Sequence, residues 1–166
     1  MNDKLVIELE SILNQELVLH EKLLHLSSRK REAISSDKID ELDRLNTIQK
    51  KVADDIEEKE QQRMGVTREL CQDLGIDPRS RLEKIIERIR DSHGDRLSEL
   101  RRQLLKTIRE IRMLNNINME LLRQMLGHIT AFFDKLSACA TSSPGYDSRG
   151  ATGGKSGGNL MLNRVV

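Results

Sequence analysis

Read in steps of three and four, residues 97–139 give Leu97, Leu100, Leu104, Ile108, Ile111, Asn115, Asn118, Leu122, Met125, Ile129, Phe132, Leu136 and Cys139. This is a helical stripe. No proline interrupts it and its only glycine is Gly127, so the spacing predicts one helix about 65 Å long at 1.5 Å per residue. A rod of that length cannot bury its stripe against itself.

The same periodicity predicts a first helix from Asp3 to Ile34. Leu5, Leu9, Ile12, Leu19, Leu23, Leu26 and Ala33 form one face, and Val6, Leu13, Leu17 and Leu24 widen it enough to meet two neighbours. Ser35-Ser36-Asp37 is a run of capping residues, which breaks the pattern and starts a second helix. That helix carries Ile39, Leu42, Leu45, Ile48, Val52, Ile56, Met64, Leu70 and Leu74. It thins from Glu57 to Arg63, where no residue is apolar, and that part is expected to be solvated or loosely packed. Gly65 is a candidate bend, and Gly75 suits the residue just past a helix C-terminus. Asp77-Pro78 is expected to open a short helix with Leu82, Ile85, Ile86 and Ile89. Ser92-His93-Gly94-Asp95 then closes it and caps the long one.

From Thr141 the chain turns to glycine and serine, TSSPGYDSRGATGGKSGGN, which has almost nothing to bury and is expected to be disordered. The last seven residues, LMLNRVV, are apolar again. They suit either a tethered docking tip or a tip that folds back on the bundle. The expected fold is all-α: an elongated antiparallel helical bundle or coiled coil of three long helices plus a short helix over residues 1–140. A flexible tail covers 141–166.

Two asparagines, Asn115 and Asn118, occupy successive seam positions of the long helix, where apolar side chains would bury more surface. One reading is that they pair across the seam and fix its register, as a seam asparagine does in coiled coils. The other is a polar break in an apolar groove kept for a partner. Composition agrees with long helices: 33% of residues are charged, 37% hydrophobic, and there are two prolines, two phenylalanines, one tyrosine and no tryptophan. The single tyrosine, Tyr146, falls in the tail, where no packing requires an aromatic.

Formal net charge is +1, with 28 basic and 27 acidic residues interspersed. A nucleic-acid partner is not expected, since it calls for a basic face in excess; Arg29-Lys30-Arg31 and Arg101-Arg102 read as solvated helix faces. Cys71 and Cys139 are far apart with no CxxC, so neither a disulfide framework nor a zinc set is expected. The first residues, MNDKLVIELESIL, carry acids within an apolar stretch and no cleavage signal, and nowhere do 18 apolar residues run together. A cytoplasmic chain with reduced thiols and no membrane insertion is expected.

Three resemblances to catalytic motifs fail on geometry. His20 and His25 flank Glu21-Lys22-Leu23-Leu24, but their spacing of five turns them about 140° apart on a helix, so they cannot grip one zinc from one face. Gly150-Ala-Thr-Gly153-Gly154-Lys155-Ser156 has its first glycine one residue too close for a phosphate loop, with no strand before it. Glu16 and His20, one turn apart, suit a surface hydrogen bond or ion pair rather than an acid–base couple. No catalytic residue, cofactor or metal is expected.

Four features in order resemble a known family: Glu16-Leu17 leading into Leu23-Leu24-x-Leu26; Ala33-Ile34-x-x-Asp37 before Leu42 and Leu45; Leu114-Asn115-x-x-Asn118-x-x-Leu121-Leu122; and Tyr146-x-x-x-Gly150. The chain resembles the FlgN family of flagellar type III export chaperones over nearly its whole length. The glycine-rich insertion between Gly150 and Leu160 departs from the family pattern. The resemblance implies a cytosolic helical chaperone that binds the C-terminal helices of hook-associated proteins, those of the hook-filament junction, and delivers them to the export gate. It places Asn115, Asn118, Leu122 and Met125 on the cargo-binding helix. It matches Tyr146 to the tail tyrosine that docks to the gate protein FlhA.

The residues alone fit the same picture. Leu122, Met125, Ile129, Phe132 and Phe133 form an amphipathic face able to bury a cargo helix in a groove. A closed bundle of this kind is expected to be a monomer or dimer. The rival reading is a structural coiled-coil protein that self-associates through its seams.

Overall fold

The computed structural model describes residues 3–89 and 92–142. They form four helices, α1 (Asp3–Ser35), α2 (Ile39–Asp73), α3 (Leu82–Arg88) and α4 (Ser92–Ser142). No strand occurs among the described residues, so the fold is all-α. The tail with Tyr146, the Gly150–Ser156 stretch and the LMLNRVV tip lie outside the described residues. The chain divides into two compact units, Met1–Gln124 and Met125–Val166, so the division falls within α4.

In the first unit, α1 ends and α2 begins by a mechanism different from the capping expected of Ser35-Ser36-Asp37. Asp37 takes a left-handed conformation, φ 53°. Its N–H donates to Ile34 O at 3.2 Å while Lys38 N–H donates to Ala33 O at 2.9 Å, the two bonds of a Schellman motif. The N-cap of α2 is Lys38, with no side-chain cap bond. The same motif closes α2: Gly75, at φ 65°, donates to Gln72 O at 3.2 Å, and Ile76 N–H donates to Cys71 O at 3.0 Å. Glycine adopts that conformation at no steric cost.

Two other expectations give way locally. Gly65 lies inside unbroken α2. Pro78 does not open α3: the Asp77 carboxylate accepts the Arg79 N–H at 2.8 Å, Ser80 N–H donates to Asp77 O at 2.8 Å, and the helix waits until Leu82. This Asx turn satisfies the backbone before α3 starts. At the start of α4, a Cβ on Gly94 would lie 2.2 Å from Ile89 O, so only glycine permits that close approach.

Side-chain pairs fix the helix directions. Arg29 with Glu41, Ser27 with Gln49 and Glu16 with Arg63 descend α1 while ascending α2, so these helices are antiparallel. Glu10 with His93 and Ser27 with Asn115 ascend both helices, so α4 returns parallel to α1. The broad stripe of α1 thus meets two neighbours, as its width requires.

Two apolar clusters result. The first gathers Val6, Leu9, Leu13 and Leu17 of α1, Val66, Leu70 and Cys71 of α2, Ile85 of α3 with the adjoining Ile89, and Leu97 and Leu100 of α4. The second joins Leu26, Ala33 and Ile34 to Leu42, Leu45, Val52 and Ile56, with Leu121 and Leu122 packed on it. Burial pushes the Cys71 thiol up, with Asp77 adding to the rise. Charged residues enter this interior at two places. The Arg63 Nε–H donates to both oxygens of Glu16, at 2.8 and 3.1 Å, with Glu16 only 1% exposed. Glu10, also buried, holds His93 at 2.8 Å. The polar run from Glu57 to Arg63 is therefore not wholly solvated.

Glu16 and His20 do lie one turn apart, but buried rather than on the surface. The His20 Nδ1 bonds the Glu16 main-chain carbonyl at 2.8 Å, and the carboxylate goes to Arg63 instead. His25 is exposed, so the two histidines do not share a face.

Candidate partner-binding surface

The expected partner-binding residues fall into two groups. Asn115, Asn118 and Leu122 belong to the first unit, where the structure engages them within the bundle. Asn118 is 3% exposed, and its Nδ2 donates to Ser27 O at 2.9 Å. Asn115 Oδ1 accepts the Ser27 hydroxyl at 3.1 Å, and Gln49 Nε2 donates to that same hydroxyl oxygen at 3.1 Å. The two asparagines thus bond across the seam to α1 and not to each other, and one serine ties α1, α2 and α4 in a single polar layer. Leu122 is half-buried on the second apolar cluster.

This layer is imperfectly satisfied, because Asn118 Oδ1 is buried without a hydrogen-bond partner. Such a group costs stability and specifies register. Asn118→Leu is therefore expected to raise the melting temperature by about 2–4 °C, checked by calorimetry; a fall would show that the polar bond outweighs its desolvation cost.

The second unit is different. Leu126, Ile129, Phe132, Phe133 and Leu136 are 62, 42, 59, 56 and 50% exposed, and Met125 is half-buried. Phe132 and Phe133 pack edge to face, ring centroids 6.1 Å apart at 70°, an arrangement aromatic pairs favour. From Met125 to Phe133 there is no Asp, Glu, Lys or Arg. Thr130, among the polar side chains there, turns its hydroxyl back to Leu126 O at 3.0 Å. The result is an unbroken apolar helical face with little to repel an apolar partner.

Met125, Ile129, Phe132 and Leu136 continue the heptad register of Ile111, Asn115, Asn118 and Leu122. Leu126 and Phe133 sit one residue beyond Met125 and Phe132, which broadens a seam into a face. Sequence reasoning missed Leu126 because it sits off the three-and-four ladder, although its spacing of seven from Phe133 carries the signal. Tyr146 lies outside the described residues.

Elsewhere, the surface depressions of the described residues are lined by charged and polar side chains, such as Glu8, Gln15, Lys59, Gln62 and Glu69 between α1 and α2. Among the described residues, no group of three or more His, Cys, Asp or Glu is placed to hold a metal ion, and no helix is long and apolar enough to cross a membrane.

Comparison with known proteins gives a coherent assignment. The family described as FlgN protein matches residues 1–154. The chain is also similar to the uncharacterized protein YvyG of Bacillus subtilis (strain 168), 29% identical over 136 residues, which is 82% of this chain and 81% of that protein. No solved structure matches it. With almost its full length matched, an all-α architecture and an apolar helical face on α4, the chain belongs to the FlgN family of flagellar export chaperones.

Proposed function

We propose that this chain holds the C-terminal helical segment of a flagellar hook-associated protein against the apolar face of α4 and delivers it to the export gate protein FlhA. The observation that carries this reading is the exposure of Ile129, Phe132 and Phe133, together with Leu126 and Leu136, on one helical face. A cargo helix that polymerises after export has an apolar face of its own, and pairing the two keeps both from water. Met125 extends the contact, while in the first unit Asn115 and Asn118 keep α4 in register on the bundle. The work is done in the cytoplasm by a monomer or dimer.

Burial is worth about 25 cal/mol per Å² of apolar surface, and association and side-chain ordering offset much of it. Micromolar, releasable binding follows, which suits a chaperone that must give up its cargo. The tail serves as tether, with Tyr146 at its gate-docking point. Titration of the full chain with a peptide of the cargo C-terminus tests the first half: saturable binding is expected, and none would refute it. Tyr146→Ala is expected to keep cargo affinity while weakening capture by the cytoplasmic part of FlhA about tenfold or more. Loss of cargo affinity instead would misplace that residue. A self-associating rod using the same face would grow in mass with concentration in light scattering, whereas a chaperone stays at one or two chains.

A further inference from the structure

Charge nearly balances over the whole chain, at +1, but not along α4. Residues 96–112 carry six basic side chains, Arg96, Arg101, Arg102, Lys106, Arg109 and Arg112, against two acidic ones, Glu99 and Glu110, so the remainder of the chain is net negative. Four of the six reach a carboxylate: Arg96 that of Glu10, Arg101 that of Glu83, Arg102 that of Glu99 and Lys106 that of Glu110. Arg109 and Arg112 are exposed and meet no carboxylate among the described residues.

Apolar side chains accompany these two. Leu105, Met113 and Ile117 are 38, 57 and 38% exposed. Leu105, Arg109, Arg112 and Met113 fall within about 100° of one another around the helix, on the side turned away from the buried Thr107, Ile111 and Asn118. One exposed apolar residue is ordinary, whereas three interleaved with unpaired arginines on one stretch of helix make an amphipathic surface. We propose that this outward stripe of α4 docks an acidic amphipathic helix of another protein. The apolar side chains of that helix cover Leu105, Met113 and Ile117, and its carboxylates pair with Arg109 and Arg112.

Charge complementarity selects this occupant. A guanidinium meets a carboxylate through two parallel hydrogen bonds, and both arginines hold that fork free. From Leu105 to Ile117 the stripe is about 18 Å long, the length of three turns of a partner helix whose apolar residues recur three and four apart. A second copy of this chain does not supply such a helix. Its densest acidic stretch, Asp54, Asp55, Glu57, Glu58 and Glu60 of α2, has Ile56 buried and no apolar residue from Glu57 to Arg63. A membrane surface is no better match, because helices that lie in one present a broad apolar face to it. Here the broad apolar side of α4, with Leu97, Leu100 and Ile111, is buried in the bundle. The surface lies wholly in the first unit, and the proposal does not rest on the cargo reading.

The probe is a fluorescein-labelled helical peptide of about 18 residues, five turns, with leucines three and four apart on one side and glutamates flanking them. A second peptide has serine for each leucine. In anisotropy titrations of the full-length protein at low salt, the leucine peptide is expected to bind saturably and the serine peptide about tenfold more weakly. Arg109→Glu with Arg112→Glu is expected to weaken the leucine peptide about tenfold at unchanged helicity, since both side chains are exposed. A photo-crosslinking amino acid at Met113 is expected to join the peptide, and Phe132→Asp with Phe133→Asp is expected to leave its affinity unchanged. Equal affinity of the two peptides would mean unselective charge attraction and overturn the proposal. So would affinity lost in the phenylalanine variant and kept in the arginine one. Arginine-dependent sedimentation with phosphatidylserine vesicles, without peptide binding, would overturn it in favour of a membrane. A mass that rises with concentration only while the arginines are present would overturn it in favour of a second copy.

Discussion

Phe132→Asp with Phe133→Asp is expected to weaken binding of a cargo C-terminal peptide more than 100-fold while leaving far-UV circular dichroism and the melting temperature near those of the parent. Both rings are more than half exposed, 59 and 56%, so the folded chain loses little with them. Asp costs under about 0.7 kcal/mol of helix propensity at each site. In a complex the balance differs. The variant forfeits two aromatic anchors, the side chains that carry most binding energy, and sets two carboxylates against an apolar partner at a steep desolvation cost. A hundredfold is about 2.7 kcal/mol, less than two such anchors supply. Isothermal titration decides: unchanged affinity with intact helicity would remove the α4 face from the mechanism, whatever the family assignment.

Arg63→Ala is expected to destabilise the bundle by about 3 kcal/mol at neutral pH, because it strands the Glu16 carboxylate in the interior. The figure sits at the low end for broken buried pairs because the Arg63 side chain is 26% exposed, and its removal lets water approach. Burial pushes the Glu16 carboxyl above the usual range. The Arg63 charge and hydrogen bond pull it back, Glu60 adds to the rise and His20 lowers it. A carboxyl that binds its proton more tightly folded than unfolded contributes stability that is complete below the unfolded range. That contribution is lost as pH rises through the folded value. Without Arg63 the folded value climbs further, so the deficit of the variant is greatest at neutral pH and shrinks as acid protonates Glu16. Urea titrations at a series of pH values check this, and a deficit independent of pH would mean that the Arg63 stem, not its charge, matters. Replacing both partners, Glu16→Leu with Arg63→Met, is expected to recover most of the loss.

Glu99 behaves in the opposite sense. The Arg102 and Gln103 hydrogen bonds draw its carboxyl down to about 2, with the Arg102 charge acting the same way. Both side chains are exposed, Glu99 at 48% and Arg102 at 66%, and solvent screening leaves such a pair little influence on folding.

Periodicity alone determined that the chain is helical, where α1 and α2 lie to within a residue, and that α4 runs unbroken through Gly127. Those features depend on local backbone preference and the 3.6-residue repeat, which each stretch carries in itself. The glycine at the end of α2 was legible for the same reason, since only φ, not a distant neighbour, requires it. Tertiary structure decided the rest. Asp37 reads as an N-cap until the path of the chain turns it into a left-handed C-terminal residue. Glu16 and Arg63 read as solvated, being 47 positions apart, until antiparallel packing brings them together and buries them. The seam of α4 has one register from Ile111 to Leu136, and nothing in its spacing tells covered positions from bare ones. Coverage depends on where the partner helices α1 and α2 supply side chains, and that is a property of three chain segments meeting in space.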